Sequence, residues 1–285
     1  MLTMRASSTP SLSSPGADQA GIPVVLEQPR PTTVQEIAAH VDDAGVRVTE
    51  RFVAVVGPPA VGKSTVTGAL ADRLGARVFR LRDFAHEFRS RPAADQRLFN
   101  TCDSLGWLPE ETVFLLLQAA LLHGQFPARG LVALENFPGS LTQFLLLTAI
   151  ADQLRAPLTL IELTAADTVV AARARARRVC PTCEPDPRGD PHRPSLRTTR
   201  DPDRCDSCGG GLLPRRGDEP QRFAARLARF RRRIPAIRRA ATALHISYDA
   251  VDSTSDPDTC LQGVTAALAA TEPSAHSFAS LHMHP

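Results

Sequence analysis

The hydrophobic pattern becomes regular after residue 50. RFVAVVG (51–57) is a β-branched apolar run ending in glycine, which predicts a strand buried on both faces. Runs of the same kind recur as ARVFRL (76–81), LVALENFP (131–138), PLTLIEL (157–163) and ISYDAV (246–251). Between them, apolar residues fall at helical spacing over 63–74, 141–154, 167–178, 220–243 and about 257–270. Residues 83–124 are also helical in pattern, interrupted at Pro92, Gly106 and Pro109. Strands alternating with helices predict a parallel sheet covered on both faces, a three-layer α/β/α architecture.

Three stretches fall outside that rhythm. Residues 1–23 are rich in Ser, Pro, Ala and Gly and read as a disordered leader, followed by a short helical pattern at 33–43. Residues 180–219 are dominated by Cys, Pro, Gly, Asp and Arg, so they predict an insertion without an apolar core of its own. From Thr271 the tail looks loose. The expected organisation is a leader over 1–45, one domain over 46–270 and a flexible tail over 271–285.

Charge and composition narrow the function. No apolar run reaches the roughly 18 residues of a membrane span, and the N-terminus lacks the apolar core of a signal peptide. A cytoplasmic location is therefore expected, with a monomer as the expected state, and six cysteines in such a chain point to reduced thiols or metal. The net charge of +3 is too small to imply nucleic acid by itself. The basic run at 222–240 carries Phe223, Leu227, Phe230 and Ile234 at helical spacing. One face of that helix is therefore buried, and its arginines fit a solvated face or nucleotide ligands better than a nucleic-acid surface.

Of the 33 Lys and Arg residues, only Lys63 is a lysine. It lies in Gly57-Pro58-Pro59-Ala60-Val61-Gly62-Lys63-Ser64-Thr65, which fits G-x-x-x-x-G-K-[ST] between a strand and a helix, the context that motif requires. Gly57 and Gly62 permit backbone angles that let N–H groups converge on phosphate oxygens. The helix N-terminus adds its positive dipole end. Lys63 supplies a compact ammonium for the β/γ-phosphates, and Ser64 supplies a hydroxyl for Mg²⁺. These residues predict a site for ATP·Mg²⁺.

Cys180-x-x-Cys183 and Cys205-x-x-Cys208 form two knuckles separated by 21 residues, just beyond the usual gap of roughly 15–20. Four thiolates suit tetrahedral Zn²⁺ of the structural kind, and a metal would replace the core that the insertion lacks. Cys102 and Cys260 have no partner pattern and are expected in the core.

The phosphate loop, the cysteine insertion and the flanks RARARRVC and LLPRRGDEPQRFAARL together resemble the adenylate kinase family, in the form with a zinc-bearing lid, from about residue 51 to 270. ENFPGSLTQ and VDST add to the resemblance. It implies a P-loop core, an acceptor-binding segment at about 80–112 and a lid at about 179–219. It places Arg173 on the ATP base, and Lys63, Arg177, Arg215 and Arg226 around the transferring phosphoryl group. Asp83 and Glu135 fall where carboxylates sit near the metal and its waters. Glu135 would join Ser64 in holding Mg²⁺ through water, and Gln143 falls where a glutamine reads the acceptor base.

The acceptor side departs from the family pattern. The two arginines that clamp the acceptor phosphate fall at His86 and Gly139. Each charge-assisted bond is worth about 1.5–3 kcal/mol, so their loss weakens the case for AMP. Arg89 is the nearest candidate to reach the acceptor anion, and Trp107 reads first as a core residue. The expected function is transfer of the γ-phosphoryl of ATP to a nucleoside monophosphate or similar small acceptor. Two alternatives stay open: an ATP-binding switch with little kinase activity, and a small-molecule kinase with a non-nucleotide acceptor.

Overall fold

In the computed structural model, described for residues 51–91, 94–122, 124–126, 130–183 and 201–270, the apolar runs form one parallel sheet. The leader, its short helix, the tail and part of the cysteine insertion lie outside the described residues. The strands are β1 (Arg51–Val56), β2 (Arg77–Phe79), β3 (Leu131–Glu135), β4 (Leu158–Thr164) and β7 (Ser247–Asp252), in the order β2-β3-β1-β4-β7 with every pairing parallel. The helices are α1 (Lys63–Leu74), α2 (Leu81–Arg89), α3 (Glu110–Leu122), α4 (Leu141–Gln153), α5 (Asp167–Ala176), α6 (Pro220–Ala243) and α7 (Pro257–Ala270). A two-residue antiparallel pair, β5 (Arg178–Val179) with β6 (Leu213–Pro214), stands apart from the sheet. Among the described residues, no helix is long and apolar enough to cross a membrane.

β1 shows why the run at 51–57 had to be a central strand. Phe52, Ala54 and Val56 pack into the core under α3, α4 and α6, while Val53 and Val55 pack with α1, α5 and α7 on the other face. All five are buried. The result is a three-layer α/β/α P-loop fold. β1 is followed by a crossover to β2, beyond β3, and later chain returns to β4 on its other side, so the strand order reverses at β1. Ligand clefts in such sheets open at that reversal, at the C-terminal ends of the strands.

Segment 83–124 is more broken than its periodicity suggested: α2 ends at Arg89, a single 3-10 turn covers Gln96–Phe99, and a loop precedes α3. Asp103 organises that loop, its Oδ1 accepting from Leu105 N at 2.8 Å and Trp107 N at 3.4 Å. Side-chain bonds to local backbone compete with helix here. Cys260 is buried as expected, but Cys102 is exposed on the same loop.

One ion pair, between a buried carboxylate and a guanidinium that is 42% exposed, ties α6 to the sheet. Glu162 on β4 is 1% exposed; Arg238 donates to its two oxygens at 2.7 and 2.6 Å, and Tyr248 on β7 donates at 2.8 Å. Removing Arg238 leaves an uncompensated carboxylate in the core. Because Arg238 is partly exposed and Tyr248 still donates to Glu162, Arg238→Leu is expected to lower stability by about 2 kcal/mol, between the values for surface and buried pairs, read from the midpoint of urea unfolding. Loss of less than about 1 kcal/mol, the range of a surface pair, would contradict this role.

Candidate active site

The loop after β1 follows the backbone its glycines allow. Gly57 has φ 154°, and a Cβ there would lie 2.7 Å from Leu163 O and 2.9 Å from Val61 Cγ1, so no side chain fits. Gly62, at φ 109°, leads into α1 without any side-chain cap, which leaves the first N–H groups of the helix open to an anion. Lys63 Nζ folds back over the loop and donates to Gly57 O and Pro58 O, both at 2.8 Å. The Lys63 pKa is lowered from 10.5 to about 7, chiefly by desolvation and next by the Arg226 guanidinium, with Glu135 opposing.

β3 delivers the carboxylate. Glu135 is paired in register with Val55 at the end of β1, which sets it beside the loop. Ser64 Oγ donates to its Oε1 at 2.5 Å, Thr67 Oγ1 to its Oε2 at 2.8 Å and Arg80 Nε to the same oxygen at 2.7 Å. Burial alone would raise the Glu135 pKa, but Ser64, Arg80 and Thr67 together hold it below the usual carboxylate range. Hydroxyl and carboxylate oxygens meeting at one point are the donors that Mg²⁺ takes, so Ser64 and Glu135 fit that ion. Arg80 was not anticipated in this role. Its Nη2 is buried without a hydrogen-bond partner among the described residues.

Three arginines converge on Asp218, whose side chain is 3% exposed. Arg177 binds it through two bonds, Nε to Oδ2 at 2.7 Å and Nη2 to Oδ1 at 2.6 Å. Arg226 Nη1 lies 3.7 Å and Arg215 Nη1 3.9 Å from Oδ1. Arg177 directly precedes β5 and Arg215 directly follows β6, so this short ladder brings them together. Arg173 on α5 reaches Ser253 O at 2.6 Å and Val61 O at 3.4 Å, between the loop and the β7–α7 turn.

These groups line one cleft of about 1250 Å³. Its far end holds Arg89, His86, Trp107, Gly139 and Gln143. Gln143 sits in the first turn of α4, capped by Ser140, and its Oε1 accepts from Gly139 N at 2.8 Å. A backbone N–H can only face oxygen, so the amide's Nε2 remains as its donor end. His86 and Asp83 are exposed on α2, with Asp83 3.8 Å from Arg80. Arg89 donates to Gln96 at 3.0 Å and lies over the Phe99 ring. Trp107 is half-buried in the cleft wall, not in the core.

The four cysteine sulfurs lie within 4.8 Å of one another, Cys180–Cys208 at 3.5 Å and Cys183–Cys205 at 3.7 Å. Tetrahedral zinc with bonds of about 2.3 Å separates its sulfurs by about 3.8 Å, so the cluster fits that ion. Cys183 N and Gly210 N point at sulfurs, 3.4 and 3.3 Å away. Among the described residues, the local apolar core is Cys180, Cys205 and Leu212 alone.

The sheet order and the loop define a P-loop α/β fold. In sequence, the chain is adenylate-kinase-like. It is 27% identical over 169 residues to the adenylate kinase of Paracoccus denitrificans, 59% of this chain and 73% of that protein. It is 26% identical over 177 residues to that of Symbiobacterium thermophilum (61% and 79%) and 26% over 182 residues to that of Treponema pallidum strain Nichols (64% and 81%). No protein-family model matches the chain.

Two outcomes follow from this geometry. A triphosphate over the loop restores the charge on Lys63, so binding takes up a proton above pH 7. ATP affinity, followed by calorimetry between pH 7 and 9, is expected to weaken by up to about tenfold per unit, with a heat that depends on the buffer's ionisation enthalpy. A flat profile would mean that Lys63 is already charged in the free loop. Metal analysis of the purified protein is expected to find zinc, lost in Cys205→Ser together with a lower melting temperature. A metal-free protein that melts as sharply as Cys205→Ser would sink the zinc reading.

Proposed function

We propose that the chain transfers the γ-phosphoryl group of ATP to a nucleoside monophosphate or a similar small acceptor. One observation carries this reading: Lys63 and eleven arginines line a single cleft in which the only carboxylates are Asp103 and Glu135, among the described residues. At about 1250 Å³, the cleft exceeds the roughly 300–1000 Å³ of a site for one small ligand. It therefore has room for two anionic ligands end to end. The similarity to adenylate kinases supports the same reading.

Each group has a task in it. Gly57 to Thr65 and the N-terminus of α1 wrap the β/γ-phosphates, with Lys63 as their counter-charge. Arg173 stacks against the ATP base. Ser64, and Glu135 through water, would hold Mg²⁺ at the phosphates, where the ion would supply positive charge to the phosphate oxygens. Arg177, Arg215 and Arg226 stabilise the transferring group, and Asp218 holds them in place beforehand, so little reorganisation is needed during transfer. Asp83, His86, Arg89, Glu135 and Gln143 form the acceptor end. By the resemblance, the cysteine segment that starts after Arg177 and ends before Arg215 is the lid, which Cys180, Cys183, Cys205 and Cys208 would order by holding zinc. A lid over the donor would exclude water and favour the acceptor over hydrolysis.

A second reading is an ATP-binding switch with little transferase activity. It is favoured by His86 and Gly139, which leave the acceptor end without the two arginines expected there. Phosphoryl transfer from labelled ATP to a panel of nucleoside monophosphates, with a nucleoside and a no-acceptor control, separates the two. Transfer to at least one monophosphate is expected, and Lys63→Ala should abolish it. ATP binding without transfer to any acceptor would favour the switch, and full activity in Lys63→Ala would overturn the loop's role in both readings.

A further inference from the structure

The acceptor end has a cation that sequence reading did not single out. At position 139, where the resemblance has an arginine, the structure shows what stands instead. A Cβ built on Gly139 would lie 2.8 Å from Cζ3 and 2.9 Å from Cη2 of Trp107. The indole thus fills the space into which any side chain at 139 would grow. The guanidinium carbons of Arg229 and Arg233, one turn apart on α6, both lie 4.8 Å from the centre of the indole ring.

The two arginines have different surroundings. Arg229 is fastened to Asp103 at 2.7 Å, and that bond holds the Asp103 carboxyl below its usual range. Arg229 Nη1 is buried without a hydrogen-bond partner among the described residues. Arg233 faces the cleft. Among the described residues its one hydrogen bond is from Nη1 to Gly139 O at 3.2 Å, which leaves most of a five-donor fork unspent. Arg80 is fixed to Glu135 beside the phosphate loop, and Arg89, although it too keeps one hydrogen bond and a ring contact, is turned to Gln96 and Phe99, whereas Arg233 lies against Gly139 and Trp107.

A guanidinium laid on an aromatic ring loses rotamer freedom before any ligand arrives, and its N–H edge matches a pair of phosphate oxygens. We propose that Arg233, held against the Trp107 ring that Arg229 and Asp103 help to fix, grips the phosphate of the acceptor. The cation missing from position 139 is thereby supplied by α6, through the carbonyl of Gly139 and the indole that requires a glycine there. The inference rests on the phosphotransfer reading above and adds its substrate class: the acceptor is a phosphomonoester, not an uncharged alcohol.

Trp107 is the only tryptophan in the chain, so its emission reports this end of the cleft without any turnover. The experiment titrates AMP, GMP, CMP, UMP, their nucleosides and inorganic phosphate into the full chain, Arg233→Ala and Arg233→Lys. ATP affinity is measured on the same preparations by calorimetry. At least one monophosphate is expected to change the emission saturably, its nucleoside to bind far more weakly, and Arg233→Ala to weaken the monophosphate about 10- to 100-fold with ATP affinity unchanged. Arg233→Lys keeps the charge and loses the fork. It should bind the monophosphate with intermediate affinity, and it decides the matter if Arg233→Ala loses ATP binding through misfolding. Monophosphate binding that ignores both substitutions, or a nucleoside that binds as well as its monophosphate, overturns the proposal while leaving phosphotransfer intact. If no monophosphate binds or accepts a phosphoryl group, both readings fall together.

Discussion

Lys63 and eleven arginines face one cleft, against two carboxylates that are already paired with arginines. Burial disfavours an ammonium, and the neighbouring guanidiniums add to that, so Lys63 is pushed to about 7. The fold must hold these groups against their repulsion, and it does so with a few carboxylates at fixed places. Asp218 gathers Arg177, Arg215 and Arg226; Glu135 fixes Arg80 beside Ser64; Asp103 fixes Arg229. Only a polyanion relieves what remains. The same repulsion therefore makes the empty cleft costly and the liganded one favourable, which is the condition for a site that closes on phosphates.

The sheet explains why those carboxylates stand where they do. β1 is buried on both faces and lies between β3 and β4, so the chain after it must leave at the reversal of strand order. Glu135 follows from the register of β3 with β1, and Ser253 and the turn behind it from β7 beside β4. The β5–β6 ladder at the base of the cysteine segment joins Arg177 to Arg215. Whatever orders the four cysteines thus acts on Arg177 and Arg215, although the sulfurs belong to a different part of the structure.

Much of the donor half was legible in the sequence. The phosphate loop needs particular residues in a fixed order, and the bounds of α1, α6 and α7 follow strong periodicity and caps, such as Glu219 accepting from Gln221 N and Arg222 N ahead of Pro220. The half of the cleft around Trp107 was not legible to the same degree. Its loop at 100–109 is built on Asp103 bonding to nearby backbone, which leaves no mark on hydrophobic spacing. Cys102 and Trp107 were therefore placed in the core and are found exposed and in the cleft wall. Arg229 and Arg233 lie in a helix crowded with arginine, and nothing in the chain separates them from their neighbours. Their role appears only once the fold sets α6 against Trp107, some 120 residues earlier in the chain.

The central claim is that one cleft holds two nucleotides end to end, with phosphate between them. It is tested most directly by the affinity of a ligand that joins ATP, through additional phosphates, to a second nucleoside, compared with ATP alone, for each of the four nucleosides. Joining two ligands makes the second contact intramolecular, so at least one such ligand should bind about 100-fold tighter than ATP or better. If every one of them binds no tighter than ATP, the acceptor end does not hold a nucleotide, and the account given of this cleft is wrong.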